Sequence, residues 1–194
     1  MRLGRQISHF SGVLVESVTP LFSDEYPTPK YRYLLSMNYS DDTGNRNKTA
    51  TIILKNPSSA DAYKADKTIV TAEKAIHIHF QDVGTLNVLN LFAIRGTDAL
   101  DVGQRYREYG YMDILGDKND EASQSCISAS DYIITAWGGA NGIPTEAYDR
   151  RISDVQTMLK NFRCPVFRKL PKGCDKYPFH ACMWGYKEGF TLLN

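Results

Sequence analysis

Hydrophobic and polar positions change their spacing several times along the chain, and each change marks a predicted element. Residues 1–30 mix Gly, Ser, Pro and charges around one short apolar run, Gly12 to Val18, which predicts an irregular N-terminal arm carrying one edge strand. From Tyr31 to Tyr39 aromatic and aliphatic residues dominate, Ser40 to Asn45 supplies turn chemistry, and Thr49 to Leu54 is β-branched and apolar. That pattern predicts an N-terminal antiparallel hairpin. Its second strand stops at Asn56-Pro57-Ser58-Ser59, because Pro cannot continue a ladder and restricts the residue before it.

Helical spacing then takes over. Asp66 is placed to cap a helix in which Ile69, Ala72, Ile76 and Phe80 recur on one face. Leu86 to Phe92 is continuously apolar, the signature of a strand buried on both faces, and Arg95-Gly96-Thr97-Asp98 follows as a loop. A short helix is predicted from Asn119 or Asp120 to about Ala129, then a strand from Tyr132 to Trp137 closed by Gly138-Gly139. Tyr148, Ile152, Val155, Leu159 and Phe162 form an apolar stripe on a charged helix, and Cys164 to Phe167 reads as a short strand. Strands alternating with helices predict an α/β protein. The expected architecture is a three-layer α/β/α sandwich with a mainly parallel central sheet, forming one domain over residues 31–194 behind the arm.

Charge narrows the partners. Lys plus Arg is 23 and Asp plus Glu is 22, a formal charge of +1, whereas proteins that hold duplex DNA carry a basic surplus. Weak duplex association is therefore expected. No stretch reaches the ~20 apolar residues of a membrane span and no apolar leader is evident, so a cytoplasmic protein without membrane contact is expected. Cys126, Cys164, Cys174 and Cys182 have no regular spacing, which gives no support to a zinc site or a disulfide scaffold; free thiols are expected. His77 and His79 are two apart on a helix and make a poor metal pair, and no cofactor is implied.

In a parallel α/β sheet, ligands sit outside the carboxyl ends of the strands. Asn56-Pro57-Ser58, Arg95 with Asp98, and Trp137-Gly138-Gly139 each follow a predicted strand, so these loops are expected to converge on one crevice. Asn56 offers one acceptor and two donors for a water or a base edge, or alternatively ties its own loop. Arg95 suits a bidentate phosphate clamp, or an ion pair with Asp98 or Asp101. Trp137 suits base stacking or the core. Gly138 and Gly139 permit close backbone approach to a ligand, or a sharp turn. Asp61 offers a further carboxylate, and Asp66 serves as a cap. Tyr106, Tyr109 and Tyr111 with Arg105 and Arg107 read as an aromatic-basic loop, and Arg150-Arg151 as a solvated helix face or an anion contact.

Two resemblances add to this. The segments Leu54 to Asp61, Asn90 to Asp98, Asn119-Asp120 and Ala136-Trp137-Gly138 together resemble domain of unknown function 1643, a bacterial and phage family whose name carries no activity. The Asn-Pro-Ser loop at a strand end and the late His180 resemble the uracil-DNA glycosylase superfamily, although Lys55 and Ser58 stand where that loop has Gly and Ala181 where Pro follows the His. That resemblance implies a glycosylase-like domain in which Asn56 orients a water and His180 assists departure of the base. The reading is a crevice for a small nucleotide or nucleobase, built from Asn56, Ser58, Asp61, Asn90, Arg95, Asp98, Trp137, Gly138, Gly139 and His180. It would serve to sequester a nucleotide signal, or alternatively to hydrolyse an N-glycosidic bond.

Overall fold

A computed structural model describes residues 8–9, 15–24, 30–40, 45–96, 98–171, 176–185, 187 and 189–193. The elements in chain order are β1 (Val15–Phe22), β2 (Arg32–Tyr39), β3 (Lys48–Leu54), α1 (Lys67–His79), β4 (Val83–Asn90), α2 (Ala99–Tyr109) and α3 (Tyr111–Leu115). They continue as α4 (Asn119–Ser128), β5 (Tyr132–Thr135), α5 (Thr145–Lys160), β6 (Val166–Arg168), a 3-10 turn (Ala181–Met183) and β7 (Thr191–Leu193). The seven strands share one sheet in the order β1-β2-β4-β3-β5-β6-β7. The chain is thus of the α/β class.

The centre, β4-β3-β5-β6, is parallel, while β1 against β2, β2 against β4 and β6 against β7 are antiparallel. Three of six pairings are therefore antiparallel, and the expectation of a mainly parallel sheet is corrected. The hairpin is corrected too: β2 pairs with β1 and β4, and β4 lies between β2 and β3. The reason lies in β3, where Ala50 to Leu54 is buried on both faces. Such a strand needs a neighbour on each edge and layers on each face, and α1 returns the chain to place β4 beside it in parallel.

Strand alternation divides the apolar side chains between two clusters. Leu35, Ala50, Ile52, Leu54, Leu86, Val88 and Ile134 pack with Ile69, Ala72 and Ile76 of α1. Ile53, Leu89 and Ile133 pack with Val102, Ile114, Ile127, Tyr148, Ile152 and Val155 from α2, α3, α4 and α5. At ~25 cal/mol per Å² of apolar surface, this burial is the main force holding the helices against the sheet. Asp66 caps α1 by accepting from Ile69 N at 2.9 Å, as its position predicts.

The supposed aromatic-basic loop is helical. Tyr106 and Tyr109 lie on α2 and Tyr111 opens α3, with the Arg105 guanidinium paired to Asp113 and stacked 4.7 Å from the Tyr109 ring centroid. Arg151 is not on a solvated face: it is buried, donates from Nε to Leu91 O at 2.7 Å and pairs with Asp120 at 2.6 Å. Arg150 covers the Tyr111 ring. Cys126, Cys164 and Cys182 are free thiols, and Cys174 lies outside the described residues. Among the described residues, no helix is long and apolar enough to cross a membrane.

Candidate functional site

The chain after β3 leaves the sheet beside the chain after β4, and the two are laced together. Leu91 N donates to Leu54 O, Phe92 N to Lys55 O and Gly96 N to Pro57 O at 2.8–3.0 Å. A cavity of about 470 Å³ opens there, between these loops, the first turns of α1 and α2, and the segment from His180 to Met183. That volume lies within the range of small-molecule sites, ~300–1,000 Å³.

Asn56, Ser58, Asp98 and His180, from three separated stretches of sequence, line this cavity. Asn56 donates from Nδ2 to Gly96 O at 3.1 Å, so it ties the two loops; its Oδ1 has no partner among the described residues and remains an acceptor on the cavity wall. His180 caps the 3-10 turn. Its Nδ1 accepts from Cys182 N and lies 3.1 Å from Cys182 Sγ. That leaves Nε2–H as the donor. Burial, reinforced by the Lys55 charge, holds the His180 pKa at about 4, so the ring is neutral near pH 7.

Other expected residues stand elsewhere or are already committed. Ser58 Oγ donates to Asp66 Oδ2, and Asp98 caps α2 through Leu100 N and Asp101 N. Asp61 closes an Asx turn by accepting from Tyr63 N and Lys64 N, away from the cavity lining. Arg95 also lies off the lining, stacked 5.1 Å from the Phe22 ring centroid. Asn90 is buried with neither side-chain amide atom hydrogen-bonded, and Trp137 belongs to the apolar core. Gly139 is not part of this cavity's lining. Gly138 has φ +68°, and a Cβ there would sit 2.9 Å from His180 Cβ; its bare backbone makes room for the histidine. Tyr148 OH fixes this loop by donating to Trp137 O and Gly138 O at 3.1 and 2.9 Å.

Sequence reasoning missed the two cations of the cavity. Lys55 and Arg32 line it while only 5% and 1% exposed, and neither lies within ion-pair distance of a carboxylate among the described residues. Arg32 donates to Ala60 O at 2.7 Å but its Nε has no partner, and burial lowers its pKa to about 10. The Lys55 ammonium stands 5.9 Å from the Tyr148 ring centroid, and burial lowers its pKa to about 8. The legible clue was a lysine closing the run Ile52-Ile53-Leu54, where the strand is buried on both faces. Asp66 and Asp61 act on Arg32 from beyond ion-pair distance, and keeping both cations from water remains costly, so an anion placed in the cavity would be favoured. The N-termini of α1 and α2 at the same wall add favourable dipoles, partly offset by the Asp66 and Asp98 caps.

Fold and site together define an α/β protein with a cavity at the end of a buried parallel strand, lined by two buried cations and by the Asp66 and Asp98 carboxylates. The family of proteins of unknown function DUF1643 matches residues 32–181, most of the 194-residue chain, and the chain belongs to that family. No curated protein and no solved structure matches it.

Proposed function

We propose that the protein binds a small nucleotide or nucleobase in this cavity, with the phosphate of a nucleotide drawn to Lys55 and Arg32. The observation that carries the reading is the pair of buried cations lacking a carboxylate partner among the described residues, in the same cavity as Asn56 and His180. Asn56 Oδ1 accepts and His180 Nε2–H donates, a complementary pair for the edge of a base or a ribose hydroxyl. Leu100 and Met183, both largely exposed, give the rim an apolar surface for a base. In this reading the sheet with helices packed on both faces is a three-layer α/β/α sandwich, and the ligand lies outside the carboxyl ends of its parallel strands. Retention of a nucleotide without turnover, as in sequestering a signal, needs nothing further.

A second reading, hydrolysis of an N-glycosidic bond, is favoured by one observation: Asn56 and His180 line one cavity. Here Asn56 Oδ1 would hold a water and His180 would stabilise the departing base. Native mass spectrometry of protein isolated from cells tests the main reading. Wild-type protein is expected to carry a nucleotide-sized adduct that Lys55→Met lacks; ligand-free wild-type protein that also ignores added nucleotides would overturn it.

A further inference from the structure

Of the two buried cations, Lys55 alone can also serve as a nucleophile. Arg32 is a permanent guanidinium whose Nε lacks a partner. Lys55 adds a primary amine, nine-tenths and more buried, free of any ion pair or hydrogen bond to a described residue, and lining the same space. Nitrogen on such a flexible stem becomes a nucleophile when its surroundings disfavour the charged form. Burial does so here: the apolar run Ile52 to Leu54 stands behind the amine, and the residue is only 5% exposed.

We propose that Lys55 is a reactive amine that captures the aldehyde of a phosphorylated sugar as a reversible imine. The proposal depends on the cavity being a phosphate-ligand site, as argued above, and adds covalent chemistry to it. In the first step the Lys55 nitrogen lone pair forms a bond to the carbonyl carbon while the carbonyl π pair moves to oxygen. A proton passes from nitrogen to that oxygen, giving a carbinolamine. Loss of the hydroxyl with a second nitrogen-borne proton releases one water and leaves the C=N bond. Addition of water reverses the sequence and restores the amine, so no oxidant or reductant is consumed. Arg32 would hold the phosphate, and His180 Nε2–H would hydrogen-bond to the carbonyl oxygen and polarise it. The lowered proton affinity of Lys55 fits this role, since a substantial share of the amine is neutral near pH 7.5.

The test uses ribose 5-phosphate as the aldehyde and sodium cyanoborohydride to fix any imine as a secondary amine, followed by peptide mapping. Lys55 is expected to be labelled about tenfold or more faster than the exposed Lys67 and Lys118, with labelling slowed by inorganic phosphate and weaker for ribose. Labelling of Lys55 no faster than of Lys67 and Lys118 overturns the proposal, and this comparison within wild-type protein needs no variant. Calorimetry with nucleoside monophosphates on the same preparation separates the two claims. Binding without labelling removes the imine and keeps the nucleotide reading; absence of both removes both.

Discussion

Replacing Lys55 with methionine should stabilise the protein while removing its anion affinity. Methionine matches the unbranched length of lysine and carries no charge. The folded-state pKa of Lys55 is about 8, against an ordinary lysine value of 10.5, and burial is the first cause. Each pKa unit corresponds to ~1.4 kcal/mol, so holding the ammonium in the folded cavity costs about 3 kcal/mol below pH 8. The sign follows from proton counts. Between pH 8 and 10.5 the unfolded chain holds a proton that the folded chain has released, so stability rises with pH across that window and the penalty is gone above it. Lys55→Met should therefore unfold at higher urea concentration at pH 7, by about 1–3 kcal/mol, or ~2–4 °C of melting temperature per kcal/mol for a chain of this size. The advantage should shrink as pH approaches 10.5. Unfolding curves for both proteins at pH 7, 9 and 10.5 measure this directly, because their difference cancels the groups that do not interact with Lys55; repeating the pair in a Cys182→Ser background removes the thiol coupled to it. A variant that is less stable, or a difference independent of pH, would refute the account of Lys55 as an unpaired buried cation.

Three further outcomes follow from the same geometry. His180, with a pKa held at about 4 against an ordinary 6.5, should make stability fall as pH drops from 6.5 towards 4, by up to about 3 kcal/mol, and His180→Gln should flatten that slope in acid unfolding. Gly138→Ala puts a methyl 2.9 Å from His180 Cβ at φ +68°, so it should cost about 1–3 kcal/mol in urea unfolding and shift the His180 ring resonances; unchanged resonances would contradict the close approach. Asp66→Ala removes the cap of α1 and the acceptor of Ser58 and should cost about 1–3 kcal/mol, whereas Asp66→Asn, which keeps the capping oxygen, should cost less.

How far the sequence could lead is clear from particular residues. Asp66 and the Ile69, Ala72, Ile76 spacing announced α1 because a cap and a helical stripe are local signals. The loops after β3 and β4 were legible as neighbours because Pro57 and Arg95 mark strand ends. The place of β4 was not, since no local signal says that a strand after a helix will insert between two earlier ones. Helix α2 was hidden by its composition: only Ala99, Val102 and Gly103 are buried on it. Gly103 reads as a helix breaker yet is the contact point, where a Cβ would lie 2.0 Å from Gly142 O. Arg95 and Asp61 were credible site residues by type and position, but strand-end residues point past the cavity as readily as into it. Lys55 was passed over because a lysine at a strand end ordinarily reaches water; its neighbours in the fold include the Tyr148 ring of α5, His180 and Cys182, all far away in sequence.

The central claim is that the cavity recognises a small phosphorylated ligand through Lys55 and Arg32. Isothermal titration of wild-type and Lys55→Met proteins at pH 7 with nucleoside monophosphates and the matching nucleosides tests it most directly. The account predicts that wild-type protein prefers at least one monophosphate to its nucleoside by about tenfold or more, a charge-assisted contribution of ~1.5–3 kcal/mol, and that Lys55→Met loses that preference. Equal affinity for monophosphate and nucleoside, or a preference that survives in Lys55→Met, would contradict it.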